Sequence, residues 1–206
     1  MTPEDIETLF TGPDGTFAFA RWRRPIAPIV FGVEDATLSV IKGAFEAVAT
    51  LAGHEIAETD PELGANCMVF FLRDWGELVD VPDLERLIPG LAPLVARLSA
   101  ANATQYRAFR FEEDGAIKAA FVFLRMDAQL SEMPAQALAL SQVVQVILLW
   151  SQQAFAARSP LAVAGATTIL RPDIGDLIRA AYDPVLPAAS DQPAHALRLF
   201  ARLAPG

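Results

Sequence analysis

Ser131-Glu-Met-Pro-Ala-Gln-Ala-Leu-Ala-Leu-Ser-Gln-Val-Val-Gln-Val-Ile-Leu-Leu-Trp-Ser-Gln-Gln-Ala-Phe-Ala-Ala-Arg158 has no charged residue between Glu132 and Arg158. At 100° per residue, Leu140, Val143, Val144, Ile147, Trp150, Ala154 and Phe155 share one broad face. Ser141, Gln142, Gln145, Gln152 and Gln153 gather on the other. Pro134 suits a first turn, where its missing N–H costs nothing and its φ is already helical. The pattern predicts one long central helix over 131–158. Glu132 and Gln136 stack four apart at the N-terminal end of its apolar face, looking toward the body of the protein. With Leu140 they mark a candidate cleft. A membrane span is not expected: the most apolar part, Val143 to Trp150, is far short of the roughly 20 residues needed, and glutamines meet lipid at a cost.

The flanking chain supplies a sheet. Gln105 to Phe111 and Ala116 to Met126 flank Asp114-Gly115, a favoured two-residue hairpin turn. That register pairs Phe109 with Ala120 and Arg107 with Val122. Ala119 to Leu124 is uniformly apolar, which places it well inside the sheet. Asn66-Cys-Met-Val-Phe-Phe-Leu72 reads as a strand covered on both faces. Thr16 to Trp22 alternates as a strand. Ile26 to Val33 is another, in which Pro28 marks an edge or a first residue.

Helices follow from caps and breakers. Thr2 and Pro3 open a short helix in an N-terminal arm over 1–15. Asp35 caps a helix that runs to about Ala52, where Gly53 stops it. Asp83 to Ser99 is broken by Pro89-Gly90 and Pro93 into two pieces. Ser159 to Ile169 is a small-residue connector. Pro172 to Tyr182 is helical, and Asp191 to Leu203 forms a last helix with Leu197, Phe200 and Leu203 facing inward. The expected whole is a single α+β domain over 1–206, with a core at 16–185 and a C-terminal helix within 186–206. It has a mixed β-sheet with helices packed on one face.

A net charge of −9 argues against nucleic acid, whose phosphates demand a basic footprint. The basic cluster Arg21-Trp-Arg-Arg24 reads as solvation at a strand end. Apolar residues make up 53% of the chain, which hints at surface covered by a second subunit. The single cysteine, Cys67, excludes an internal disulfide and sits in an apolar strand as an inert thiol. The N-terminus carries no basic and apolar leader pattern, so a cytoplasmic location is expected. His54 and His195 stand outside any nucleophile or ligand spacing. Glu112-Glu113-Asp114 reads as a solvated hairpin tip.

Three stretches carry a family resemblance. Arg21-Trp-Arg-Arg-Pro-Ile26, followed by a helix and Glu62-Leu-Gly-Ala-Asn-Cys-Met-Val-Phe-Phe71, resembles the opening of matrixin-like zincins. Gln136-Ala-Leu-Ala-Leu140 is similar to the His-Ala-Leu-Gly-Leu that ends their zinc-binding helix motif. Leu170-Arg-Pro-Asp-Ile-Gly-Asp-Leu-Ile-Arg-Ala-Ala-Tyr-Asp-Pro184 looks like their closing helix. The chain looks closer still to a group of uncharacterised bacterial zincin-like proteins, over roughly residues 20 to 185.

The resemblance implies a zincin-like fold but not the chemistry. A zincin needs two His at i, i+4, a Glu beside the first as general base, and a third ligand downstream. Here Glu132 and Gln136 stand in the two His positions and Met133 in that of the Glu. Ser159 to Arg171 offers no third ligand. No metal or cofactor is therefore expected. Three functions remain open. One is a non-catalytic domain that binds a peptide, a protein or its own copy. Another is a metal-independent enzyme using Glu132 as acid or base in an apolar cleft. The third is a purely structural homodimer.

Overall fold

The computed structural model describes residues 1–165 and 167–203. The chain runs through α1 (Pro3–Phe10), β1 (Phe19–Ala20), β2 (Pro28–Phe31), α2 (Asp35–Ala52) and β3 (Cys67–Leu72). A 3-10 turn (Trp75–Asp80), α3 (Leu84–Leu87) and α4 (Leu91–Ala100) lead to the hairpin β4 (Gln105–Phe111) and β5 (Ile117–Arg125). Then come α5 (Ala128–Glu132), α6 (Ala135–Ile147), the hairpin β6 (Leu161–Ala164) and β7 (Thr167–Leu170), α7 (Pro172–Ala181), β8 (Ala189–Ser190) and α8 (His195–Phe200).

The result is a mixed α+β fold. The central sheet has the order β2-β3-β5-β4, with β2, β3 and β5 parallel and β4 antiparallel at one edge. Alternation along β3 and β5 divides the core between two faces. Cys67, Val69, Ala120, Val122 and Leu124 meet Ile41, Phe45 and Val48 of α2 and Ala139, Val143 and Val146 of α6. Phe70, Leu72, Ala119, Phe121 and Phe123 meet Trp75, Leu78, Leu84, Leu91, Leu94 and Leu98 on the other side. Helices therefore cover both faces, not one. The short pieces broken by Pro89-Gly90 are enough to seal the second face, because Trp75 and the leucines supply the bulk.

The long helix is α2, at 18 residues with Gly53 in the left-handed conformation at its end. The helix expected over 131–158 is instead two helices and an extended tail. At its start, Met133 is extended ahead of Pro134, as a residue before proline prefers. This break separates α5 from α6. At its end, Leu148 leaves the helix and bridges Arg21, Leu149 N–H donates to Ala20 C=O at 2.9 Å, and Ser151 N–H donates to Leu9 C=O at 2.8 Å.

Side chains complete that ending. Trp22 Nε1 donates to Val146 C=O at 2.8 Å, Trp150 Nε1 to Val144 C=O at 2.7 Å, and the Tyr182 hydroxyl to Ile147 C=O at 2.8 Å. The last carbonyls of a helix have no partner of their own, and these three aromatic donors provide it.

Three further expectations change. The β4–β5 turn is longer than two residues: Glu112 N–H donates to Ala116 C=O across Glu113-Asp114-Gly115, with Gly115 N–H donating to Glu112 C=O and Gly115 at φ 83°. A bulge between Arg110 and Phe111 then restores the expected pairing of Phe109 with Ala120 and Arg107 with Val122. The last helix is short and differently phased: His195, Ala196 and Leu199 are buried, while Leu197 is 58% and Phe200 41% exposed. The connector after residue 159 pairs as the β6–β7 hairpin.

The two sheet edges differ. Ala27 C=O accepts from Cys67 N–H, so the parallel ladder turns Pro28 and Val30 outward, and Pro28 removes a donor from that edge. On the other side Arg125 N–H donates to Thr104 C=O at 2.8 Å. Antiparallel alternation then turns the backbone of Gln105, Arg107 and Phe109 away from β5. Among the described residues no other strand pairs with them, although the Phe109 C=O accepts from Arg110 Nη1 at 3.1 Å.

Trp22→Phe keeps most of the buried ring but leaves the Val146 carbonyl without a donor. It is expected to cost about 1–3 kcal/mol in urea unfolding; an unchanged midpoint would show that this end of α6 does not depend on the cap.

Candidate functional site

A hollow does lie at the first turn of α6. Its volume is about 320 Å³, and Gly32, Phe71, Met126, Leu130, Met133 and Leu138 are among its walls. The candidate cleft residues are not its walls: Glu132 and Gln136 are exposed and Leu140 is half-buried. The break at Met133-Pro134 is the reason. Glu132 ends one helix and Gln136 starts another, so the common phase that aimed both inward does not exist. Glu132 is exposed to water, so the apolar surroundings that an acid or base in a cleft would need are not around it.

A larger hollow, about 670 Å³, lies across the open edge of β4. Gln105, Tyr106, Arg107 and Phe109 form its floor, Arg97 of α4 borders it from one face of the sheet, and Gln145, Trp150 and Phe155 from the other. Trp150 is held there by its bond to Val144 and by stacking on Phe10 at 5.2 Å between ring centres. Phe155 meets Trp150 edge-on at 5.0 Å.

Arg107 reaches into the layer between sheet and helix. Its Nη2 donates to Gln105 Oε1 at 2.9 Å and also to Gln142 Oε1. Gln142 itself is buried, although the continuous-helix pattern puts it on the polar side. Burial holds the Arg107 guanidinium down at about 10. Sequence reasoning placed Arg107 in register but missed its role. The available signal was parity: Gln105, Arg107 and Phe109 share one side of β4, and Phe109 packs on the core that contains α6.

At the other end of the parallel strands the charges are already matched. Arg24 bonds to Asp60, Glu62 and Glu112, and Arg23 to Asp114, so two arginines of the basic cluster are paired with acids that include two from the hairpin tip. Asp60 is buried; burial pushes its pKa up, but N–H groups of Leu63 and Glu62, Asn66 and Arg24 outweigh this and hold it at about 2. Cys67 is fully buried and its thiol is pushed up to about 12. Among the described residues no group of three or more His, Cys, Asp or Glu is arranged to hold a metal ion, and no helix is long and apolar enough to cross a membrane.

The two histidines pack. His54 Nε2 lies 3.0 Å from Arg24 C=O, with its ring against Tyr182. His195 is 1% exposed, its ring centre is 4.4 Å from that of Phe19, and neither nitrogen has a partner. Burial, reinforced by Arg198 and Arg202, pushes its pKa down to about 4.

Compared with protein-family models, curated proteins and solved structures, the chain matches none of them.

Two pH effects follow from these groups. The His195 pKa is lower folded than unfolded, so its contribution is whole above pH 6.5 and is lost as pH falls from 6.5 toward 4. His195→Phe is expected to flatten that part of the curve of urea midpoint against pH; an unaltered slope would contradict it. Asp60 contributes above its ordinary 3.8 and loses that contribution as pH falls toward 2. Asp60→Asn is therefore expected to lower the midpoint most at neutral pH, with the gap from the wild type narrowing below pH 4. A gap independent of pH would contradict the role of the carboxylate.

Proposed function

We propose that the chain is a non-catalytic, zincin-like binding domain that accepts an extended peptide segment along β4. The observation that carries this is the edge of β4, which has no neighbouring strand, beside a cavity of about 670 Å³. Addition of a strand to such an edge supplies main-chain hydrogen bonds, while alternate side chains enter the neighbouring hollow. Edge strands left this open are a hazard in water unless blunted or occupied. β2 is blunted by Pro28, whereas β4 has no proline among Gln105–Phe111.

A hydrolytic role is not proposed. The positions that the zincin resemblance assigns to two zinc-binding His hold Glu132 and Gln136, and Met133 cannot act as a general base. Self-association through the same β4 edge is the second form of the proposal, motivated by the same unpaired backbone.

The test is amide exchange on the free chain and after addition of a peptide selected from a random hexapeptide library. In the free monomer, the N–H groups of Gln105, Arg107 and Phe109 should exchange faster than those of Tyr106 and Ala108. The bound peptide should slow the first set selectively. If the free chain sizes as a dimer with these amides already slow, the occupant is a second copy. Binders that leave all three amides unchanged would refute docking on β4.

A further inference from the structure

The cavity across the β4 edge differs from the rest of the surface in charge. Its walls carry Arg97 and Arg107 and no carboxylate, in a chain with 25 acidic against 16 basic residues. Three other sheltered arginines have acids beside them, while Arg21 and Arg125 bond to carbonyl and amide oxygens outside this cavity. Arg24 has Asp60, Glu62 and Glu112, Arg171 has Asp173, and Arg202 has Asp183. Among the described residues Arg107 has none.

The hydrogen bonds of Arg107 do not remove the imbalance. Both acceptors on Nη2 are neutral amide oxygens, from Gln105 and Gln142. Its Nε is buried without an acceptor. An amide oxygen satisfies a donor but does not neutralise a cation, and a guanidinium withdrawn from water retains a desolvation cost until an anion offsets it. Arg97, exposed on α4 at the far side of the opening, adds positive potential and has no ion pair among the described residues.

We propose that this cavity takes a carboxylate, borne by an acidic residue of the peptide laid along β4, as the counter-ion of Arg107. This rests on the docking of a strand at that edge. Arg107 is one of the residues whose backbone faces outward, so a strand paired there sets its own side chains directly across from the guanidinium. A carboxylate in that place completes a charge-assisted hydrogen bond, stronger than one to a neutral amide. The aromatic walls, Trp150, Phe155 and Phe109, suit apolar residues flanking the acid.

The experiment uses three probes on the full chain, followed by nitrogen-15 NMR: Ac-Thr-Val-Glu-Val-Thr-NH2, its Gln counterpart, and free glutarate. The Glu peptide is expected to bind roughly tenfold more tightly than the Gln peptide and alone to shift the Arg107 Nε–H signal. In Arg107→Met that preference should vanish while both peptides still perturb the β4 amides. A melting temperature at or above the wild type establishes that this variant is folded, and Arg107→Lys, which keeps the charge, should retain part of the preference. Equal binding of both peptides, with the Nε–H signal unmoved, overturns the carboxylate and leaves strand docking intact. Glutarate moving the Nε–H while neither peptide touches β4 retains the anion seat and overturns the peptide. No response to any probe overturns the inference.

Discussion

The C-terminal end of α6 is the constraint on which the rest of the structure depends. Four carbonyls at a helix end lack partners, and a buried one left bare costs about 1–3 kcal/mol. Here Val144, Val146 and Ile147 receive donors from Trp150, Trp22 and Tyr182. Those donors come from three separate parts of the chain: the segment before β2, the residues just past α6, and the end of α7. One helix end thus ties the N-terminal segment and the closing helix to the central layer. Leu148 to Ser151 then bond to Arg21, Ala20 and Leu9 rather than continue the helix. That departure sets Trp150 and Phe155 on the wall of the cavity at β4.

The sheet supplies the other half of the arrangement. β3 and β5 are covered on both faces, so the interior strands are sealed and only the two edges differ in what they present. Pro28 removes a donor on one side. On the other, β4 keeps its outward N–H donors, between a bulge at Arg110/Phe111 and a cation buried behind the strand. Arg24 and Arg171, by contrast, are each paired with acids. Open backbone and unbalanced charge therefore occur at the same place, at some distance from the hollow under the first turn of α6.

Much of this was legible in the residues where the signal is local. Gly53 stops α2, Pro28 begins an edge strand, and the uniform apolarity of Cys67–Leu72 and Ala119–Leu124 places both inside the sheet. The pairing of Phe109 with Ala120 was also legible, although two opposite one-residue offsets, a longer turn and a bulge, cancel to produce it. What escaped depends on partners far along the chain. Nothing between 131 and 158 announces that Trp22, 124 residues before Val146, will cap the helix. The inward aim of Glu132 and Gln136 required an unbroken helical phase, and Met133-Pro134 breaks it. Leu197 and Phe200 failed for a related reason, since the turn ahead of His195 resets the phase of the last helix. Arg107 was hidden because its significance lies in the acid that is missing beside it, which no spacing rule reports.

The central claim is that α6 ends at Ile147 under its three aromatic donors, freeing the following residues to line the β4 cavity. Backbone carbon-13 chemical shifts across residues 128–158 test it directly. The account predicts helical shifts from Ala135 to Ile147, an extended value at Leu148 and no return to regular helix through Phe155. Uninterrupted helical shifts from Ser131 to Phe155 would contradict it.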